Sequence, residues 1–137
     1  IIAMNHKPQL IILPKGAVVM RSLEMWCAEH NVTAAAVSAV GAVENAEICY
    51  YDLPTKSYQC QLIPGAMEVL SLSGNVTIKE GKPFVHAHVT LGERDMSVKG
   101  GHLKEAVVAV TLECTIMPLE GEYERRLNQD IGLYLLT

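Results

Sequence analysis

The chain has 137 residues, half of them apolar, a formal net charge of −4 and four cysteines. A chain of that length buries a core without disulfide help, and none of its apolar runs reaches the ~18 residues of a membrane-crossing helix. Its eleven lysines and arginines are scattered, and the one adjacent pair, Arg125-Arg126, is flanked by Glu122 and Glu124. The basic face that duplex binding calls for is therefore missing.

The length fits a single domain over 1–137. The apolar surplus, with no membrane helix to absorb it, points to a subunit interface and hence a homo-oligomer. Cys27, Cys49, Cys60 and Cys114 are far apart and form no C-x-x-C pair. They read as buried free thiols in a reducing compartment. Ile1 to Lys7 lacks a charged segment followed by a long apolar stretch, so no secretory signal is read there and the cytoplasm is the expected location.

In chain order, Gln9 to Leu13 is a short apolar run of strand character, punctuated by Pro14-Lys15-Gly16. From Ala17 to His30 the apolar positions Val18, Val19, Leu23, Met25, Trp26 and Cys27 recur at helical spacing, and Asn31 ends the helix. The pattern then turns to strands. Thr33 to Val40 is broken by Gly41, Val43 to Tyr51 ends at Asp52-Leu53-Pro54, and Ser57 to Ile63 stops at Pro64-Gly65. Ala66 to Leu72 and Asn75 to Ile78 follow, separated by Ser73-Gly74, and Lys79 to Pro83 is a polar turn. Phe84 to Leu91 and Met96 to Lys99 form a hairpin around Gly92 to Asp95, Ala106 to Met117 is a long buried strand, and Gly132 to Leu136 closes the chain. One main N-terminal helix and many strands with short turns predict an α+β fold with a mostly antiparallel sheet.

Three of the five histidines fall within seventeen residues, in Phe84-Val-His-Ala-His-Val89 and Gly100-Gly-His-Leu103. Residues i and i+2 of a strand share a face, so His86 and His88 project side by side. With a three-residue loop, Glu93 to Asp95, the hairpin sets His102 opposite His86 on that face. A two-residue loop would turn His102 away unless a bulge at Gly100-Gly101 restored it. Three neutral imidazoles with an open fourth position suit zinc, and other divalent metals also accept imidazole. The alternative is that all three are polar residues on a solvated sheet face. His6 and His30 have no sequence partners and read as surface residues.

The blocks Glu68-Val-Leu-Ser-Leu-Ser-Gly-Asn75, His86-Ala-His-Val89 and Gly100-Gly-His-Leu103, with Glu113-Cys-Thr-Ile-Met117, Pro14-Lys-Gly16 and Val40-Gly-Ala-Val43, resemble the PPC ("plants and prokaryotes conserved") domain over nearly the whole chain. The resemblance implies a fold built around an antiparallel sheet, similar to that of acetolactate decarboxylase, and a homotrimer. It also implies a metal site, with zinc preferred, at His86, His88 and His102. In plants this domain accompanies AT hooks, whose Arg-Gly-Arg-Pro core enters the minor groove, and no such core occurs here.

Two functions follow as expectations. The first is a trimeric zinc-binding module with a regulatory or DNA-associated role, and the second is a zinc-dependent enzyme, of lyase or hydrolase type, acting on a small anionic substrate. For the second, Glu68, and less so Glu113, is the candidate to orient a histidine or move a proton. Arg94, with Lys99, is the candidate to hold a substrate carboxylate. The bland alternative is that all four are solvated strand or turn residues. Ser71 and Ser73 lack a nucleophile-elbow pattern and read as strand residues.

Overall fold

A computed structural model describes residues 7–137; the readings made for His6 and the first residues lie outside that range. The chain forms seven strands: β1 Gln9–Pro14, β2 Ala35–Asp52, β3 Ser57–Lys79, β4 Lys82–Gly92, β5 Val98–Pro118, β6 Glu124–Asn128 and β7 Leu133–Leu136. One helix, α1 Val19–Glu29, lies between β1 and β2. The expected antiparallel α+β architecture is what the chain adopts, with one parallel pairing where β6 meets the end of β3.

The pairings β2–β3, β3–β4, β4–β5 and β5–β2 form a closed circuit, with β1 added outside β5 and β6–β7 beyond β3. The circuit has one dry face. On β4, Val85, Ala87, Val89 and Leu91 are buried and join Leu112, Cys114 and Ile116 of β5 and Val19, Leu23 and Cys27 of α1 in one core. The pleat sends His86, His88 and Thr90 to the opposite face. Burying the helix side of the sheet thus fixes which way the histidines point.

Several expected breaks lie inside strands. Gly41 sits at a register shift within β2, and Pro64-Gly65 lies opposite Asn45 at a second shift between β2 and β3. A bulge absorbs a proline that cannot donate to the ladder, so the two hairpin arms run on as strands of 18 and 23 residues. Met96–Lys99 and Ala106–Met117 likewise merge into β5, whose first residue is Val98. The strand β6 was not anticipated, because Glu124-Arg-Arg-Leu-Asn128 is charged and shows no apolar alternation.

The cysteine reading is corrected in half. Cys27 and Cys114 are free and buried, and burial pushes their thiols up to about 12 and about 11 respectively. Cys49 and Cys60, however, are directly opposed across the β2–β3 hairpin with Cα atoms 4.1 Å apart, and they form a disulfide. Cys60 is also exposed rather than buried.

Helix α1 begins without a capping side chain of its own, since Val18 stands at its N-cap. Its free N–H groups find a partner from another strand. The backbone N–H of Met20 donates to Glu105 Oε1 at 2.7 Å, and that of Arg21 donates to Oε2 at 3.3 Å. This carboxylate does the work of a cap and opposes the positive end of the helix dipole. Glu105→Ala is expected to lower the free energy of unfolding by roughly 1–2 kcal/mol. A urea midpoint shift well below that range would show that water replaces the carboxylate without loss.

Candidate metal centre

His86 and His88 leave β4 on the face opposite the core, and His102 reaches the same face from β5. The hairpin differs from the expected one in its loop. Glu93 to Ser97 form a five-residue turn, closed by the Glu93 N–H donating to Ser97 O at 2.9 Å and the Met96 N–H donating to Glu93 O at 3.0 Å. The register partner of His102 is therefore His88, not His86. An odd loop length keeps His102 on the shared face. The ladder runs unshifted through Gly100 and Gly101, so no bulge sits there. A Cβ on Gly100 would stand 2.8 Å from Val89 O, which shows that the glycine serves close packing of the hairpin.

The three rings converge. Their centroids are 5.1 Å apart for His86–His88, 5.5 Å for His86–His102 and 5.8 Å for His88–His102. One nitrogen from each lies within 4.8 Å of the others, a grouping able to hold an ion. Tyr58 stacks on His102 at 4.9 Å and in turn meets Tyr51 edge-on at 5.0 Å, fixing one side of the cluster.

The electrostatics favour neutral imidazoles at His86 and His102. Burial, then the Arg125 guanidinium and then the neighbouring rings push the His86 imidazolium down to about 4. Burial and His88 also lower that of His102. A neutral ring with a free lone pair is the form that ligates a metal. No carboxylate or thiol of the described residues joins the cluster, which leaves room in a tetrahedral shell for a further ligand.

The other sequence candidates fall elsewhere. Glu68 is exposed on β3 opposite Gly92, seven positions from Asn75, the partner of His86. At ~3.3 Å per residue that is on the order of 20 Å away. Glu113 is exposed on β5, opposite Ile12 and Val40. Arg94 lies in the hairpin loop with Glu93 and Asp95, beyond the Gly92–Val98 end of the ladder. Lys99 pairs with Glu93 at 3.0 Å. His30 is exposed, stacked on Trp26 and bonded to its carbonyl. The cation whose charge acts on His86 is Arg125, which sits in a charged stretch outside the recognisable blocks.

Comparison with known proteins matches residues 3–120 to the Plants and Prokaryotes Conserved domain. The chain is 42% identical to a protein of Archaeoglobus fulgidus, named as metal-containing, with a TM-score of 0.90 over 96% of this chain and 93% of that one. It is 33% identical to a plant- and prokaryote-conserved protein of Pyrococcus horikoshii, with a TM-score of 0.92 over 96% and 91% of the two chains. A candidate DNA-binding protein of Ralstonia eutropha JMP134 is 25% identical, with a TM-score of 0.85 over 93% and 89%. The fold extends, at 13% identity and a TM-score of 0.61, to acetolactate decarboxylase of Bacillus subtilis, where 89% of this chain spans 57% of that one. No curated protein matches the chain.

Proposed function

Because the chain belongs to the Plants and Prokaryotes Conserved domain family, we propose that it is a zinc-binding module, working as a homotrimer in a regulatory or DNA-associated role exercised through a partner. The observation that carries this is the convergence of His86, His88 and His102 on the sheet face opposite the core, with three donor nitrogens and no fourth protein ligand among the described residues. All-imidazole donors suit zinc, and the Archaeoglobus relative is named for its metal. Zinc held there would act as a Lewis acid toward a ligand in the remaining position. The triad and Tyr58 supply the holding and the orientation.

Assembly is supported by the face that carries the triad. Leu10 and Ile12 of β1, Val40 of β2 and Met117 of β5 are about half exposed or more on one side of the sheet, a surface that a second copy would cover. The Ralstonia relative's name motivates the DNA association. Scattered lysines and a net charge of −4 argue that any such contact passes through a partner. A cytoplasmic location belongs to the same proposal and is read by cell fractionation; the Cys49–Cys60 disulfide is the observation it has to survive. Among the described residues no helix is long and apolar enough to cross a membrane.

The second reading, a zinc-dependent lyase or hydrolase, is favoured by the cavity that opens onto His86 and His102. Both readings share one test. Metal analysis of the purified chain is expected to find about one zinc per protomer, lost in the His86→Ala, His88→Ala variant. Less than about 0.2 metal per chain in the wild type would sink the site. Light scattering on the same sample reads the trimer, and a monomer would remove it. Tight, salt-sensitive binding of bare A·T-rich duplex would overturn the indirect route to DNA.

A further inference from the structure

A cavity of about 360 Å³ adjoins the triad, walled by Tyr58, Lys79, Phe84, His86, His102 and Arg125, with β7 closing one side. Two cations and two imidazoles line it and no carboxylate does, in a chain whose net charge is negative. Arg125 is only 8% exposed. Its Nε donates to Thr77 Oγ1 at 2.8 Å and its Nη2 to Asn75 Oδ1 at 3.0 Å, both neutral acceptors. Lys79 Nζ lies over the rings of Phe84 at 4.8 Å and Tyr134 at 4.5 Å, and the Arg125 guanidinium over Phe84 at 5.5 Å.

Among the described residues neither Arg125 nor Lys79 forms an ion pair, and the Glu24 carboxylate that feels the Lys79 charge lies outside this cavity. A buried cation without a counter-charge is costly. Here the guanidinium is also held in a fixed orientation. Thr77 and Asn75 occupy its Nε/Nη2 edge, which leaves the Nη1/Nη2 edge with two parallel N–H groups, the fork that a carboxylate matches. We infer that this cavity is the receptor for a small carboxylate, gripped by Arg125, drawn in by Lys79 and presented to the open side of the histidine cluster. The pocket admits an acid of a few carbons, and its aromatic walls favour an organic anion over a fully hydrated inorganic one.

The inference rests on the zinc reading only for what the far end of the ligand meets; the Arg125 grip stands without metal. The test is calorimetric titration of malonate, with inorganic phosphate in parallel, into the full chain in metal-free and zinc-loaded forms. Saturable binding of one malonate per chain is expected in both, tighter with zinc. Arg125→Gln should weaken it by at least about tenfold while zinc stoichiometry stays unchanged. Lys79→Met, which breaks no hydrogen bond, should weaken it severalfold and keeps the question open to test if Arg125→Gln does not fold. Unchanged affinity in a folded Arg125→Gln, or in Lys79→Met where Arg125→Gln does not fold, overturns the inference. Tighter binding of phosphate than malonate, or no saturable malonate binding, does the same. Malonate binding in a chain that takes up no zinc would fail the zinc reading alone. Zinc uptake without malonate binding would fail this one alone.

Discussion

Gly74→Ala is expected to destabilise the fold by about 3 kcal/mol or more and to take metal binding with it. Gly74 lies on β3 directly opposite Ala87 of β4, one step from the Asn75–His86 pair. A Cβ built there would stand 2.0 Å from the His86 carbonyl oxygen and 2.8 Å from Ala87 Cα. Both neighbours are backbone, so no side chain can swing aside, and relief requires moving β4 away from β3. In an unhindered strand the same change would gain roughly 0.5–1 kcal/mol by restricting the unfolded chain. The overlap outweighs that gain. Because His86 and His88 flank Ala87, any displacement of β4 also spreads the donor nitrogens that now lie within 4.8 Å. Gly81→Ala is the control: its φ of +77 costs backbone strain, but a Cβ there meets nothing within 4 Å. Urea midpoints and zinc stoichiometry of the two variants settle the matter. A Gly74→Ala protein within about 1 kcal/mol of wild type, still holding zinc, would mean that β4 yields easily.

The histidine face was legible because it depends on parity alone. His86 and His88 are two apart, and any odd hairpin loop returns His102 to their side. The identity of the residue opposite His102 depends on loop length as well. That length is set by the Glu93–Ser97 turn, where Met96 adopts a φ of +70 that no glycine advertised. The helix was read over Ala17 to His30 and forms over Val19–Glu29. Its start is fixed by Glu105, a residue 85 positions from Met20, which local periodicity cannot see. The merging of short runs into long strands was hidden for a related reason. Gly41 and Pro64-Gly65 mark bulges, which share their residue types with strand ends.

The disulfide was within reach. Strands read as Val43 to Tyr51 and Ser57 to Ile63 flank one turn, and folding them about it brings Cys49 opposite Cys60. Looking for short C-x-x-C spacing missed a cross-strand pair eleven residues apart. Nothing local in the sequence places Arg125. It is placed by the parallel contact of β6 with Ile78 and Lys79 of β3, a long-range pairing that a charged pentapeptide does not announce. The recognisable blocks located the ligands of the candidate centre, whereas the cation beside them came from the tertiary fold.

The metal-free protein is expected to hold a level stability between pH ~6.5 and ~8 and to lose it as the pH falls toward about 4. In the folded chain, burial followed by the nearby Arg125 charge lowers the His86 imidazolium from an ordinary 6.5 to about 4. Between those values the unfolded chain binds a proton at this position that the folded chain refuses. Stability therefore rises with pH through the window and is lost on acidification. His102 is lowered for the same leading reason and adds to the slope in the same direction. The His86 shift alone corresponds to ~3 kcal/mol at 1.36 kcal/mol per unit, and partial exposure of the ring reduces it to on the order of 2 kcal/mol. Asp52, Glu93 and Asp95 are lowered by their hydrogen bonds to Thr55, Ser97 and Lys99, so their contribution is lost mainly below this window, whereas Glu24, raised by burial, opposes the His86 slope within it. Replacing His86 with asparagine removes the titrating group, and the urea midpoint of that variant should flatten between pH 6.5 and 4. Zinc moves the limb rather than abolishing it. An ion that ligates only neutral imidazoles competes with protons, so rising zinc concentration should carry the loss of stability to lower pH in the wild type and leave the asparagine variant less affected. A limb that keeps its position at every zinc concentration would separate the histidines' titration from metal binding and deny them a common site.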